Sequence, residues 1–330
     1  MTVSTDQPSA RPRSQPGHIY VVVDLGGTQT RTAIFDPTGQ MLTRRAVATP
    51  RTGGPDEVIA AVLDQIREAT AQHRSTVVAV GVSALGPVDP HTGIIHSAPT
   101  LPGFDNVPLG PRLHDALQLP VHVHNDANAA TIAEWQLGAG RGTRHFCYVT
   151  VSTGMGCGII SNGQLVTGRA GYAGELGRTR IPSTDGSTTQ LEQISSGTAI
   201  AARARALIAA GTPTSLATIG RTDITAGTVA AAAAAGDHVS RSIFTTAAAT
   251  LGIQLANLTR LVDPETVALG GGVTLAGDIF WGPLRATIGE SLALDSIPLP
   301  RLVEAELRGD AGLHGAAIAL LNHYERAPAW

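Results

Sequence analysis

The chain has 330 residues, enough for two domains, and its 43% hydrophobic and 15% charged residues are typical of a soluble globular protein. A formal net charge of −3 gives no support for binding to nucleic acid or to an anionic membrane. No apolar run approaches the roughly 18 residues of a membrane-spanning helix, and the polar N-terminus lacks a signal peptide's apolar core. We therefore expect a cytoplasmic protein whose residues 1–17 form a disordered tail.

In the N-terminal half, apolar runs and turn residues predict alternating strands and helices. Residues 19–23 and 32–35 predict a hairpin whose tip is the glycine loop Asp24–Thr28. A stripe of apolar residues predicts a helix over 55–72, and residues 76–82 are typical of a buried strand. The next predicted elements are a turn-rich segment at 91–111, a short helix at 113–117, a strand at 121–124 and a helix at 127–137.

The C-terminal half begins with a second predicted hairpin. Residues 146–151 enter the glycine-rich loop Ser152–Gly158, and an Asn162-Gly163 turn follows. Further along come a polar stretch at 182–190, helices at 199–210 and 228–261, strands at 266–269 and 302–307, and a terminal helix at 311–324. This alternation of strands and helices predicts α/β architecture.

The two glycine loops share one order of elements and lie about half a chain apart. Glycine lets backbone N–H groups crowd around an anion, so each loop suits phosphate, although each alone also fits an ordinary tight turn. Their repetition predicts a duplicated domain with a nucleotide between the halves. The chain contains no lysine, so backbone amides, arginine, hydroxyl groups or a metal ion must hold any phosphate.

Several polar residues near the loops suit catalysis. Asp126 begins a predicted helix, where a carboxylate can cap the helix and can also accept a proton from an attacking hydroxyl. Asn125 is placed to orient the same substrate. Asp24 fits either a turn or the water shell of Mg²⁺, and Thr28 and Arg31 are candidates for contact with the transferred phosphate.

Three further features allow two interpretations each. Glu175 and Glu192 suit vicinal hydroxyls of a sugar, because carboxylate oxygens accept hydrogen bonds, or they are solvated surface residues. Gly270–Gly272, after a predicted strand, either admits the face of an adenine or forms a tight turn. The two cysteines, Cys147 and Cys157, are interpreted as buried thiols rather than a disulfide framework.

These motifs together resemble the ROK family of bacterial sugar kinases and sugar-responsive repressors over residues 18–322. DLGGTQTR at 24–31 resembles the family's first phosphate motif, and HNDANAA at 124–130 resembles the segment with its catalytic aspartate. LPGFDNVPL at 101–109 resembles its sugar-contact loop, with Asn106 as the contact. The other matching segments are STGMGCGIISNGQLVTGRAGYAGELG at 152–177, ISSGTAIA at 194–201 and ALGGGVTLAGD at 268–278.

The resemblance implies an actin-like, hexokinase-like ATPase fold in which two ribonuclease H-like α/β domains close over sugar and ATP. We expect residues 18–121 plus 311–330 in the smaller domain and 122–310 in the larger. The resemblance also implies a homodimer or a dimer of dimers, whereas the charge balance predicts neither nucleic acid nor membrane as a partner.

The implied activity is ATP- and Mg²⁺-dependent phosphorylation of a hexose, with glucose O6 as the favoured acceptor, Asp126 as the base and Mg²⁺ near Asp24 through water. Open alternatives are N-acetylmannosamine, N-acetylglucosamine, fructose or allose as acceptor, polyphosphate as donor, and a non-catalytic sugar-binding regulator. The implied sugar-binding residues are Asn106, Asn125, Asp126, Glu175, Arg178 and Glu192. The implied nucleotide-side residues are Asp24, Gly26, Gly27, Thr28, Gln29, Arg31, Ser152, Thr153, Gly154, Met155, Gly156, Gly197, Gly270, Gly271 and Gly272.

The chain departs from the family pattern after GELG. Most members carry a histidine there and a cysteine-rich loop that together bind a structural zinc. Arg178 takes the histidine position, and residues 178–193 contain neither cysteine nor histidine. We therefore expect no structural zinc, and we expect Arg178 to pair with Glu175 or Glu192. Gln29 replaces the usual lysine of the first motif.

Overall fold

The computed structural model describes residues 17–71, 77–182 and 186–324, so the tail predicted over 1–17 lies outside the described residues except for Gly17. The described chain divides into two compact units. One contains the residues up to Asn125 and those from Leu313 onward, and the other is Asp126–Gly312.

The first unit is built on a five-stranded sheet. Its elements are β1 (Ile19–Leu25), β2 (Gln29–Phe35), β3 (Met41–Ala48), α1 (Gly54–Thr70), β4 (Val77–Ala84), β5 (Ile95–Ser97), β6 (Asp105–Val107), α2 (Leu109–Leu117) and β7 (Val121–Asn125). The strand order is β3-β2-β1-β4-β7, with the first three strands antiparallel and β1, β4 and β7 parallel.

Both faces of this first sheet are covered by helices. Val58 and Ile59 of α1 and Leu113 of α2 pack with alternate strand residues on one face. The terminal helix α9 (Ala311–Tyr324) covers the other face, where Leu313 and Leu320 join the core. Burial is therefore nearly continuous along β1 and β4, as expected for parallel strands that are covered on both faces.

The second unit repeats this pattern of strands. Its elements are α3 (Asp126–Leu137), β8 (Phe146–Val151), β9 (Met155–Ser161), β10 (Gln164–Leu165), β11 (Arg180–Pro182), β12 (Thr188–Gln190), α4 (Glu192–Ser195), α5 (Gly197–Ala209), α6 (Ala226–Ala234), α7 (His238–Val262), β13 (Thr266–Gly270), α8 (Asp278–Ala293) and β14 (Arg301–Glu304). The order β10-β9-β8-β13-β14 again has three antiparallel strands followed by parallel ones. The predicted duplication is confirmed by this shared order.

The division between the units falls later than the predicted boundaries of 121/122 and 310/311. β7 pairs with β4, so all of Val121–Asn125 belongs to the first sheet. At the other end the division lies between Gly312 and Leu313, because the side chains of α9 from Leu313 onward pack against the first sheet.

Two predicted elements of the second unit were wrong in extent, and one observed helix was not predicted. The helix predicted over 228–261 is two helices, because Asp237 accepts a hydrogen bond from the Ser240 N–H at 2.7 Å and caps a new helix there. The strand predicted over 302–307 ends at Glu304. Helix α8 was not predicted, since Pro283 lies inside it. Among the helices of the described ranges, none has the length and apolar character needed to cross a bilayer.

Candidate active site

The glycine loop between β8 and β9 is held in place by two other segments of the second unit. The Ser152 N–H donates to the carbonyl of Gly154 at 2.8 Å and closes the turn. The Gly197 N–H, at the start of α5, donates to the Ser152 carbonyl at 2.7 Å, and the Val273 N–H donates to the Val151 carbonyl at 3.1 Å. The loop therefore lies against a helix N-terminus, which favours a bound anion.

Two of the predicted nucleotide-side glycines are required by close packing around this loop. A Cβ atom at Gly271 would lie 2.4 Å from the Val151 carbonyl oxygen, and the residue has φ of +95°. A Cβ atom at Gly197 would lie 2.8 Å from the Ser152 oxygen. A side chain at either position would displace the loop.

A pocket of about 490 Å³ opens beside the loop within the second unit. The predicted residues Ser152, Thr153, Gly197 and Gly272 line it. The remaining lining residues are Thr198, Ala201, Arg205, Thr222, Ile224, Thr225, Ala226, Gly227 and Val273. Hydroxyl groups, small apolar side chains and flat glycine surfaces are chemically suited to a nucleoside.

The carboxylates of Glu175 and Glu192 and the guanidinium of Arg178 lie near Gly154 and Met155 of the glycine loop. The Met155 N–H donates to Oε2 of Glu192 at 2.7 Å, so this carboxylate is tied to the loop backbone. Nε of Arg178 lies 2.8 Å from Oε2 of Glu175. Burial raises the pKa of Glu175, the Arg178 guanidinium opposes that shift, and the negative charge of Glu192 adds to it. Of the two predicted partners of Arg178, the structure pairs it with Glu175.

Asp126 is the first residue of α3, and the Ala127 N–H donates to its Oδ1 at 2.8 Å. The first turn of α3 packs on the start of β9, since a Cβ atom at Gly156 would lie 2.8 Å from the Ala127 Cβ. Burial raises the pKa of Tyr148 to about 12, and the negative charges of Glu134 and Asp126 contribute to that shift. The predicted base therefore lies beside the strand that carries the second glycine loop.

The first unit holds the other predicted phosphate loop, at the tip of the β1–β2 hairpin. The Gly26 N–H donates to the Gln29 carbonyl at 3.2 Å, and Gly27 and Thr28 lie within this turn. Nη1 of Arg31 donates to Oδ2 of Asp24 at 3.0 Å, and Oγ of Ser83 donates to Oδ1 at 2.9 Å. Because Mg²⁺ in kinase sites keeps several waters, this already bonded carboxylate fits an ion held through water rather than directly.

The two predicted asparagine contacts also lie in the first unit. Asn106, on β6, is exposed, and its Nδ2 donates to Oδ1 of Asp105 at 3.1 Å. Nδ2 of Asn125, the last residue of β7, donates to the Gly86 carbonyl at 2.8 Å, which fixes the amide orientation.

Within 17–71, 77–182 and 186–324, no three histidine, cysteine, aspartate or glutamate side chains come together as a metal site. Both cysteines are buried, and burial raises the pKa of Cys147 to about 12, which keeps it a thiol.

Sequence reasoning missed one group of site residues. Arg205, Thr222 and Thr225 line the pocket without belonging to a recognised motif. The signal available for Arg205 was its spacing on α5, since Gly197, Ala201 and Arg205 lie four residues apart and share one helix face.

The repeated sheets, the two glycine-loop hairpins and the pocket define an α/β protein with the actin-like, hexokinase-like ATPase fold. The model of the ROK family matches residues 20–323, and the chain therefore belongs to the ROK family. A glucokinase of Halalkalibacterium halodurans is 31% identical over 313 residues, which cover 90% of this chain and 93% of the relative. An N-acetylmannosamine kinase of Yersinia pestis is 31% identical over 304 residues, covering 90% and 97%.

Similarity extends to solved structures. The crystal structure of a ROK family glucokinase from Streptomyces griseus, in complex with glucose and AMPPNP, matches with a TM-score of 0.74 and 33% identity. The match covers 91% of this chain and 98% of that one.

Proposed function

We propose that this ROK protein is an ATP-dependent hexose kinase whose acceptor is glucose, phosphorylated at O6. The proposal is based on the glycine loop between β8 and β9, which has a pocket on one side and a group of carboxylates on the other. Ser152 and Thr153 line the pocket of about 490 Å³, while Met155 binds Glu192, beside the Glu175–Arg178 pair. A donor site and a set of hydroxyl acceptors thus adjoin the same phosphate-type loop.

The acceptor side uses groups that recognise vicinal hydroxyls. Glu175 and Glu192 accept hydrogen bonds from sugar hydroxyls, and Asn106 and Asn125 add amide contacts. Burial raises the pKa of Glu175, and the Arg178 guanidinium opposes that rise. Asp126 accepts the proton of the attacking hydroxyl as the oxygen attacks the γ-phosphate. The N-terminal turn of α3 favours the ionised form that a base requires.

The donor side holds charge through backbone groups, as a chain without lysine must. The N–H groups of Gly27 and Thr28 in the first loop and of Thr153 and Gly154 in the second bind the phosphates, and the N-terminus of α5 adds its dipole. Asp24 would hold Mg²⁺ through water, and the bound ion would supply positive charge to offset that of the transferred phosphoryl group. Because these donors are fixed before the substrate arrives, their orientation costs little during the reaction.

The glucokinase relative and the glucose complex support glucose, whereas the N-acetylmannosamine kinase relative supports an amino sugar. The AMPPNP complex supports a nucleotide donor. Glucose presents a hydroxyl group where an N-acetylhexosamine has an N-acetyl group. We expect Glu175 and Glu192, the carboxylates that accept hydrogen bonds from hydroxyl groups, to distinguish the two kinds of acceptor.

The test is ADP release by the purified protein with ATP and Mg²⁺ over glucose, mannose, fructose, allose, N-acetylglucosamine and N-acetylmannosamine. We expect glucose to give the highest kcat/KM. With polyphosphate in place of ATP, the formation of glucose 6-phosphate is measured instead of ADP, and we expect it to be slow. Higher kcat/KM with an N-acetylhexosamine would overturn the glucose assignment. Sugar binding by calorimetry without ADP release from any sugar would support the non-catalytic regulator instead.

A further inference from the structure

One wall of the pocket is formed by residues of the segment 222–227, whose last two residues begin α6. Residues 222–225 belong to neither a strand nor a helix, and side-chain contacts add to the backbone bond of 2.9 Å from the Asp223 N–H to the Gly220 carbonyl. Ile224 is buried at 1% exposure and anchors its middle. At its end Thr225 and Thr228 cap α6 with reciprocal side-chain bonds of 2.8 and 3.2 Å.

Arg205 fixes the first half of this wall from across the pocket. Its Nε donates to the Arg221 carbonyl at 3.1 Å, and its Nη2 donates to the Ile224 carbonyl at 3.1 Å. The planar guanidinium of Arg205 therefore links α5 to the carbonyls of Arg221 and Ile224, and Thr222 lies between these two residues in the sequence. A planar fork suits this task, and a flexible ammonium group does not.

The charge of the pocket also depends on this residue. Among its lining residues, all of which belong to the described chain, no side chain is acidic and Arg205 alone carries a positive charge. Polyphosphate is bound by many cations, whereas this lining offers hydroxyl groups, apolar surface and glycine backbone. The composition favours a nucleoside with its phosphates at the loop.

We propose that Arg205 is the positioning residue of a nucleoside pocket: it holds residues 221–225 as the wall against which the nucleoside of the phosphate donor packs. This inference rests on the proposed kinase function and adds the residue that confers preference for a nucleoside triphosphate over polyphosphate. Arg205 acts through the wall, so it affects donor binding and leaves acceptor binding and the chemical step unchanged.

The experiment compares wild type, Arg205→Met, Arg205→Lys and the control Arg203→Met, which changes an exposed arginine on the same helix. The affinity for AMPPNP is measured by calorimetry, and KM values for ATP and for the sugar are measured separately. We expect Arg205→Met to raise the Kd for AMPPNP about tenfold, which is ~1.4 kcal/mol, with kcat and the sugar KM within about twofold. Arg205→Lys reaches one carbonyl and gives an intermediate Kd, and Arg203→Met matches wild type.

Hydrogen exchange gives a second readout that does not depend on catalysis. Amides of residues 221–225 exchange faster in Arg205→Met than in wild type, while those of β8 do not change. Equal AMPPNP affinity in wild type and Arg205→Met overturns the role of Arg205 while leaving the kinase assignment intact. A wild type that binds no AMPPNP overturns the nucleotide donor itself.

Discussion

Glu134 offers the sharpest test of how α3, the helix that begins with Asp126, is held in the second unit. This carboxyl side chain has 0% exposure. Its Oε2 accepts from the Ala139 N–H at 3.0 Å and the Glu306 N–H at 3.1 Å, and its Oε1 accepts from the Leu307 N–H at 2.6 Å. It therefore ties the end of α3 to the segment that follows β14.

The substitution Glu134→Leu keeps the volume and removes every acceptor. One buried and two part-buried N–H groups then lose their partner, at about 1–3 kcal/mol each, so we expect a loss of about 3–5 kcal/mol once access of water to the part-buried groups is included. Glu134→Gln is the matched control. It keeps one oxygen but turns an NH₂ group toward one of the donors, so its loss is expected to be about 1–3 kcal/mol.

Differential scanning calorimetry measures this effect directly. For a unit of this size 1 kcal/mol corresponds to a shift of about 2–4 °C in Tm, so Glu134→Leu is expected to melt about 10 °C below wild type. Glu134→Gln should fall between the two. If Glu134→Leu melts within about 2 °C of wild type, the three hydrogen bonds do not stabilise the fold as argued.

Two further predictions concern the glycine loop and the acceptor carboxylates. Gly271→Ala places a Cβ atom 2.4 Å from the Val151 carbonyl at φ +95°, so we expect at least about 2 kcal/mol of destabilisation by calorimetry and weaker AMPPNP binding. Gly272→Ala, where no atom lies within 4 Å of the added Cβ, should leave stability unchanged, and equal stability of the two variants would contradict the packing argument. Arg178→Met removes the cation that lowers the pKa of Glu175, so the acid-side rise in the sugar KM, followed between about pH 5 and 8, should move to higher pH. An unchanged pH profile would show that the ion pair does not control Glu175.

The sequence predicted the β-hairpins and the duplicated sheets well, because local chemistry determines them. Apolar runs interrupted by glycine, with an Asn162-Gly163 turn, specify a hairpin within about twenty residues of chain. The sequence pattern did not predict the break between α6 and α7, because an alanine-rich segment is typical of one continuous helix. Asp237 caps the second helix and separates the two. Helix α8 was not predicted because Pro283 and neighbouring glycines are unfavourable in a helix. Its formation depends on the packing of Phe280 and Leu284 into the core.

Some residues of the candidate site could likewise be predicted from local sequence, whereas other contacts could not. The glycine loops and Asp126 could be named from motif residues, and Glu175 as one of two candidate partners for Arg178. The bond between Glu192 and the Met155 N–H joins residues 37 apart, and the bond from Leu307 to Glu134 joins residues 173 apart. Contacts at such separations come from the tertiary fold, so no local pattern reveals them.

The central claim is that Asp126 accepts the proton during phosphoryl transfer to the sugar. Asp126→Asn retains an oxygen for the Ala127 N–H, so the start of α3 is preserved while the base is lost. Turnover is measured as ADP release with glucose, ATP and Mg²⁺, alongside the Kd for glucose by calorimetry. The account predicts that turnover falls by about 10²–10⁴ while glucose affinity stays within a few-fold. Turnover within tenfold of wild type would contradict it.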